Sequence, residues 1–335
     1  MISLNAFDHV HSSDLTAIVA RSVMARKSMV MPYADFTDMV CELLMLFASP
    51  EAHLVAAGPI PSQTAQAADR AGMELIEQSG HSPFVGEAAT VIAGLQSKHD
   101  IIYVGNPNRI TGANFSLSDI EELTAAVPNG LLILDEYYYD YFGITGYPLV
   151  DMSRNVVILR SFTAAYPRRN TEAGYIITSP NLLGEIQQSF ESRGLSQAER
   201  RFIVDSMINH EATAGRLYQL HQESLRLSTR FARIGVQCRI CASDFLLMRV
   251  ADPTAVLETL APLKLPLQSL AVYPRLRKYL RYEVQEQATN DSLLQAVANL
   301  PENILLAEGI DCQKARMNRP GEGLPVPEPP DEEDE

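Results

Sequence analysis

Apolar positions along the first half of the chain alternate between helical spacing and short continuous runs. Residues 35–48 place apolar side chains three or four positions apart, which predicts an amphipathic helix, and the segments SQTAQAADRAGM and SLSDIEELTAAV also favour helices. Between them lie apolar runs that end in turn or polar residues, as buried strands do: HLVAAG, DIIYVGNP, LLILDEYYY and NVVILRSF. This alternation predicts an α/β domain with a mostly parallel sheet covered by helices on both faces.

The pattern changes after about residue 185. A long helical stretch, punctuated near Gly215, is followed by the strand-like runs DFLLMRV and YLRYEV and by a last helix at NDSLLQAVANL. This order predicts a smaller α+β domain. We therefore expect a short N-terminal arm (1–29), a large α/β domain (30–210), a small C-terminal α+β domain (211–312) and a disordered acidic tail (313–335).

Half of the formal net charge lies in residues 320–335, within the predicted tail. The chain carries −14 at pH 7, and residues 320–335 contain seven acidic residues and no Lys or Arg. The rest of the chain is moderately acidic, which argues against nucleic-acid binding, because that function needs clustered basic charge. No apolar run is long enough to span a bilayer and the first residues lack the pattern of a signal peptide, so we expect a cytoplasmic protein without membrane contact.

The cysteines and histidines offer no convincing metal site. Cys238 and Cys241 form a C-x-x-C pair without a second ligand pair at zinc-like spacing, and His9 and His11 have no third ligand nearby in the sequence. We interpret the cysteines as ordinary reduced residues and predict no metal.

Polar motifs follow three of the predicted strands, where ligands bind in open α/β sheets, and a fourth lies on a later strand. They are NPNRITG at 106–112, DEYY at 135–138, SFTAAY at 161–166 with Gly174-Tyr175, and YLRYEV at 279–284. In order and spacing they resemble N-P-N-N-P-T-G, D-E-A-Y, S-F-S-K-A-F with R-x-G-Y, and L-R-I-T-V. These are motifs of fold-type-I aminotransferases that depend on pyridoxal 5′-phosphate (PLP), of the histidinol-phosphate aminotransferase type. The likeness covers residues 30–300.

The resemblance implies roles for five residues. Asp135 matches the carboxylate that pairs with the pyridinium nitrogen of PLP, and Tyr138 matches the tyrosine on the ring's phenolic oxygen. Ser161 and Thr163 match hydroxyls around the cofactor phosphate. Arg281 matches the arginine that clamps the substrate carboxylate.

Other positions depart from the family pattern. The Schiff-base lysine is replaced by Ala164, which removes covalent and acid–base catalysis together. Glu172 replaces the arginine on the cofactor phosphate, and Arg109 replaces the asparagine on the phenolic oxygen. The small residues of the phosphate cup, G-S-D-E, become the stretch 33–36, with Tyr33 and Phe36, and the stacking aromatic is missing from 58–62. We therefore predict that PLP binding is absent, or weak and non-covalent, and that no cofactor is present.

For several of these residues a structural role competes with a ligand role. Asp135 could cap local backbone N–H groups, Tyr138 could pack in its aromatic cluster, and Arg281 could pair with Glu283. A basic set formed by Arg109, Arg168 and Arg169 is either solvated loop charge or an anion site for a phosphate or carboxylate.

Three functions remain open at this point. The first is a non-catalytic homologue that uses the fold for binding or assembly, as a homodimer and with a possible protein partner, because the family's sites form across a dimer interface. The second is a PLP-independent enzyme or ligand-binding protein for an amino-acid-like or phosphorylated small molecule, with Glu172 as a candidate base. The third is an aminotransferase or decarboxylase that holds PLP or the amine form of the coenzyme without a covalent bond. The loss of several independent cofactor contacts favours the first.

Overall fold

A computed structural model describes residues 14–142, 144–162, 172–189, 194–208 and 210–306. The chain divides into two compact units. The first runs to Gln219 and includes Cys241–Asp244, and the second holds Leu220–Ile240 and continues from Phe245. Residues 1–13 of the predicted arm and the whole of the predicted tail lie outside the described residues.

A seven-stranded sheet forms the centre of the first unit. Its spatial order is β1-β7-β6-β5-β4-β2-β3, with β3, β2, β4, β5 and β6 paired in parallel and β7 antiparallel to both β6 and β1. The strands are β1 (Val30–Tyr33), β2 (Leu54–Ala57), β3 (Leu75–Gln78), β4 (Ile101–Gly105), β5 (Leu131–Asp135), β6 (Val156–Ser161) and β7 (Gly174–Thr178). The predicted mostly parallel sheet is confirmed.

Helices in the same unit include the ones predicted from apolar spacing. They are α1 (Leu15–Ser22), α2 (Phe36–Phe47), α3 (Ser62–Arg70), α4 (Ala88–Ile92), α5 (Leu117–Ala126), α6 (Tyr139–Phe142), α7 (Tyr147–Val150), α8 (Pro180–Ser189) and α9 (Gln197–Ile208). α5 begins with a capping box, in which the Ser116 side chain accepts from the Asp119 backbone and the Asp119 side chain accepts from that of Ser116.

Both faces of the sheet are buried, because neighbouring residues of each central strand belong to different cores. Ile102, Leu132 and Ile158 pack in one apolar cluster, and the residues just before them pack in the other, with α2, α3 and α8. Side chains alternate across a strand, so a strand buried on both faces has to be apolar throughout. This explains the continuous apolar runs.

The second unit has a four-stranded antiparallel sheet of order β10-β11-β9-β8. Its core contains Leu227, Phe231, Leu246, Leu280 and Leu293. The remaining elements are α10 (His210–Arg233), β8 (Gln237–Ile240), β9 (Phe245–Arg249), α11 (Pro253–Leu260), β10 (Leu267–Ser269), β11 (Tyr279–Glu283), α12 (Gln287–Ala298) and α13 (Glu302–Leu305). The smaller C-terminal α+β domain is confirmed.

One predicted boundary is wrong. Gly215 lies within α10, so the interruption of the helical stretch predicted near this residue is absent. A single glycine inside a long helix costs only about 1 kcal/mol relative to alanine, which the packing of the rest of the helix offsets. Within the described ranges, the chain forms no helix with the length and apolarity to cross a membrane.

Candidate functional site

The carboxyl end of β5 places a fully buried carboxylate, Asp135, at the edge of the sheet. Tyr103, on the neighbouring strand β4, donates its hydroxyl to Asp135 Oδ2 at 2.5 Å. The backbone N–H of Tyr137 donates to the other oxygen, Oδ1, at 3.0 Å. The first contact follows from the strand order, since Gly105 and Asp135 are register partners in β4 and β5. The second is local, because Tyr137 is two residues from Asp135 in the sequence.

Arg109 faces this carboxylate from the loop after β4. Its Nε lies 3.2 Å from Asp135 Oδ2, and its Nη2 lies 3.8 Å from Glu172 Oε2. The loop is held in place by Asn108, whose side-chain oxygen accepts from the backbone N–H groups of Ile110 and Thr111. Arg109 is only 8% exposed, so its guanidinium is part of the interior.

Two aromatic rings hold the same guanidinium. Its central carbon lies 3.7 Å from the ring centroid of Tyr137 and 4.2 Å from that of Phe36, the first residue of α2. A guanidinium stacked on aromatic faces gains cation–π attraction, which is stronger away from water. Arg109 therefore has a carboxylate at one edge and contacts two rings.

The charges of the cluster follow from burial and from one another. Burial alone would lower the pKa of the Arg109 guanidinium, but Asp135 and the other nearby acidic groups outweigh it and raise that pKa. Burial, with a further contribution from Asp135, holds the pKa of the Tyr103 phenol well above its ordinary range, so this phenol stays a hydrogen-bond donor. Burial also raises the pKa of Glu172, and Arg109 opposes that shift.

Tyr33 fills the position that the resemblance assigns to the phosphate cup. Its ring is 2% exposed, and its hydroxyl donates to the backbone carbonyl of Arg160 at 3.1 Å. A Cβ at Gly174, its register partner on β7, would overlap both the Tyr33 hydroxyl and the Arg160 carbonyl oxygen. The close approach of β1 and β7 therefore requires glycine at 174.

A second buried ion pair lies on the other face of the sheet. Arg160, on β6, places Nε 2.9 Å from Glu136 Oε2, and its guanidinium stacks 3.4 Å from the centroid of Tyr139. Thr145 accepts from the same guanidinium at 2.8 Å. Asp135 and Glu136 are therefore adjacent in sequence but are balanced by different arginines.

The remaining predicted site residues are dispersed. Tyr138 is buried and donates its hydroxyl to Asp244 Oδ1 at 3.1 Å, and Ser161 is buried at the end of β6. Arg281 lies on β11 in the second unit, with its guanidinium 3.9 Å from the Phe245 ring centroid. Thr163, Ala164, Arg168 and Arg169 lie outside the described residues. In the part of the chain that is described, no three His, Cys, Asp or Glu side chains are grouped to hold a metal ion.

Sequence reasoning missed the contributions of Tyr103 and Tyr137. Tyr137 stands where the D-E-A-Y motif has its small alanine, so the aligned motif already contained the signal for an added ring beside Asp135. Tyr103 lies inside an apolar run, and nothing in that run distinguishes it from a core tyrosine. Its role depends on the pairing of β4 with β5.

Comparison with known proteins bears on this fold and these motifs. Residues 28–297 match the family described as aminotransferase class I and II. The chain belongs to the class I and II aminotransferase family.

Individual aminotransferases of this family are distant from the chain. Histidinol-phosphate aminotransferase 1 of Burkholderia lata is 28% identical over 214 residues, which cover 62% of this chain and 59% of that protein, so the chain matches about three fifths of that relative. The histidinol-phosphate aminotransferase of Clostridium acetobutylicum has a similar structure, with a TM-score of 0.75 at 14% identity over 88% of this chain and 90% of that one. The Sinorhizobium meliloti enzyme, solved in complex with PLP, gives a TM-score of 0.73 at 14% identity over 85% and 80%.

These comparisons correct the expectation that no cofactor is present. The chain belongs to the aminotransferase family, and one of the similar structures holds PLP. The surroundings of Asp135 in this structure do not fit a pyridine ring. Arg109 Nε lies 3.2 Å from Asp135 Oδ2, beside the carboxylate that the resemblance pairs with the ring nitrogen. Binding of PLP beside Asp135 requires Arg109 to move, and PLP is the first ligand with which the site has to be tested.

Proposed function

We propose that this chain is an aminotransferase-fold protein that no longer carries out transamination and uses the fold for binding or assembly, as a homodimer. The observation that supports this most directly is the contact of the Arg109 guanidinium with Asp135, Phe36 and Tyr137. In the family pattern Asp135 keeps a cofactor ring protonated and electron-withdrawing. A carboxylate already paired with an arginine and a tyrosine performs a structural role.

The charges near Asp135 support the same proposal. Glu172 stands where the resemblance places a phosphate-binding arginine, and it lies 3.8 Å from Arg109. A carboxylate repels a phosphate dianion where an arginine would attract it. The sequence also has Ala164 at the position of the Schiff-base lysine. The phosphate anchor and the nucleophile are thus replaced and the carboxylate for the ring nitrogen is paired with Arg109, and transamination needs all three.

A direct assay tests this function. The purified chain would be incubated with PLP, histidinol phosphate (the substrate in the relatives' name) and 2-oxoglutarate, and amino transfer would be followed by the glutamate formed. We expect no glutamate above the protein-free control. The matched variants are Arg109→Asn, which restores the family residue, and Ala164→Lys, which restores the lysine; neither alone should transaminate. Turnover by the unmodified chain that depends on added PLP would refute the proposal.

Two further measurements separate the alternatives. Light scattering after gel filtration should give the mass of a dimer, and a monomer at micromolar concentration would contradict the assembly role. Thermal-shift screening with PLP, amino acids and phosphorylated metabolites tests a surviving ligand site. A saturable rise in Tm with one of these compounds would favour a ligand-binding protein over a protein that serves only in assembly.

A further inference from the structure

The groups that surround the Arg109 guanidinium are each held in place by the rest of the fold. Asp135 is fixed by the Tyr103 hydroxyl and by the Tyr137 backbone N–H. The Tyr137 ring packs edge to face on Tyr138, with centroids 4.9 Å apart. The third group, Phe36, is 2% exposed at the start of α2. Removal of the arginine side chain therefore leaves its carboxylate and its two rings supported.

These groups have the chemistry of a receptor for a planar cation. A carboxylate oxygen lies 3.2 Å from Nε, and two ring centroids lie within 4.2 Å of the central guanidinium carbon. Aromatic faces attract cations, and a flat cation can stack on a ring while its edge N–H groups face a carboxylate. An ammonium ion matches this arrangement less well, because it is compact and strongly hydrated.

We propose that the space between Asp135, Phe36 and Tyr137, called the Asp135 pocket, is a binding site for guanidinium-type planar cations. The Arg109 side chain fills this pocket and thereby excludes external cations. Free guanidinium compounds then bind only when the Arg109 side chain is absent or displaced. The inference does not rest on the proposed loss of transamination, because it concerns only what fills the pocket.

Chemical complementation tests the inference. The variant Arg109→Ala would be titrated with methylguanidinium, at millimolar concentrations far below those that denature proteins, while its Tm is followed. We expect Arg109→Ala to melt below the unmodified chain and methylguanidinium to raise its Tm saturably, since a ligand that binds only the folded state stabilises it by mass action. The unmodified chain should show no such rise, and ammonium should raise the Tm of Arg109→Ala less.

Two variants control for non-specific effects of the cation. Arg70→Ala removes an exposed arginine that pairs with Asp38, and it should show no saturable rise. The double variant Arg109→Ala/Asp135→Asn keeps the vacant space but lacks the carboxylate, and it should lose the response. Should Arg109→Ala fail to fold, Arg109→Asn takes its place in the same titration.

Calorimetric titration provides the decisive reading. Binding of one methylguanidinium per chain to Arg109→Ala or Arg109→Asn, with none to the unmodified chain, supports the proposal that the Arg109 side chain occupies the pocket. The absence of saturable binding to the folded variant, or equal binding to the Asp135→Asn double variant, overturns the proposal.

Discussion

Arg109 Nε lies 3.2 Å from Asp135 Oδ2, and the two side chains are 9% and 0% exposed. A buried ion pair of this kind contributes little net stability relative to an apolar pair of the same shape. Loss of one partner is different, because it leaves an uncompensated charge in the interior. Loss of either Arg109 or Asp135 alone should therefore lower the free energy of unfolding by more than the intact pair contributes to it.

Replacement of Arg109 by leucine should lower the free energy of unfolding by about 3–5 kcal/mol, since the buried Asp135 side chain is then left without its ion-pair partner. Urea unfolding followed by circular dichroism measures the loss. In the double variant Arg109→Leu/Asp135→Asn the loss should be smaller than in Arg109→Leu alone.

An exposed arginine provides the comparison. Arg70 pairs with Asp38 at 2.8 Å, but about half of each side chain is exposed. Arg70→Leu should lower the free energy of unfolding much less than Arg109→Leu does, because an exposed ion pair is screened by water. Similar losses in the two single variants would show that burial of the Arg109 pair has no energetic consequence.

Two tyrosines that both donate buried hydrogen bonds should differ in their contribution to stability. Tyr103→Phe removes a donor to the Asp135 carboxylate, and it should cost about 1.5–3 kcal/mol because one partner is charged. Tyr33→Phe removes a donor to a neutral carbonyl, and it should cost about 0.5–1.5 kcal/mol. The order of the two losses is measured by urea unfolding, and the reverse order would contradict the stronger hydrogen bond expected between Tyr103 and the Asp135 carboxylate.

Gly174→Ala should destabilise the chain by about 1–3 kcal/mol, because the added methyl overlaps Tyr33 and the Arg160 carbonyl. The matched control is Gly184→Ala, in α8, where a Cβ would meet nothing within 4 Å. In a helix interior that change should stabilise by about 0.5–1 kcal/mol. Thermal unfolding of the two variants should therefore shift Tm in opposite directions.

Glu172 should make stability depend on pH. Its pKa in the folded state is raised above the ordinary 4.5, chiefly by burial. Between that value and the raised one, the folded state binds more protons than the unfolded state, so stability falls as pH rises through this window. Glu172→Gln removes this dependence. Unfolding midpoints from pH 7 down to about pH 4.5 should show the unmodified chain gaining on the variant as pH falls. A constant difference would refute the assignment.

The parts of the fold that could be predicted are those set by local pattern. The runs around Ile102, Leu132 and Ile158 are apolar on both sides of the strand, and such runs form only where both faces are covered. The start of α5 could be predicted from Ser116, because the hydroxyl of an N-cap residue accepts from a backbone N–H of the first turn. The motif order predicted the family that the comparisons confirm.

The contacts of the site were not readable in the same way. For Arg109, Arg168 and Arg169 the sequence left open solvated loop charge or an anion site, whereas Arg109 is buried beside Asp135 and Glu172. Its environment depends on the pairing of β4 with β5 and on the position of α2. Charge counts along the sequence cannot report such distances, because the partners lie far apart in the chain.

Asp135 is the last residue of β5 and Glu136 follows it, and the two carboxylates lie on opposite faces of the sheet, each beside a different arginine. A shift of β5 by one residue would exchange the two carboxylates and move both away from their counter-ions. The two ion pairs therefore favour the native register of β5 over a register shifted by one residue.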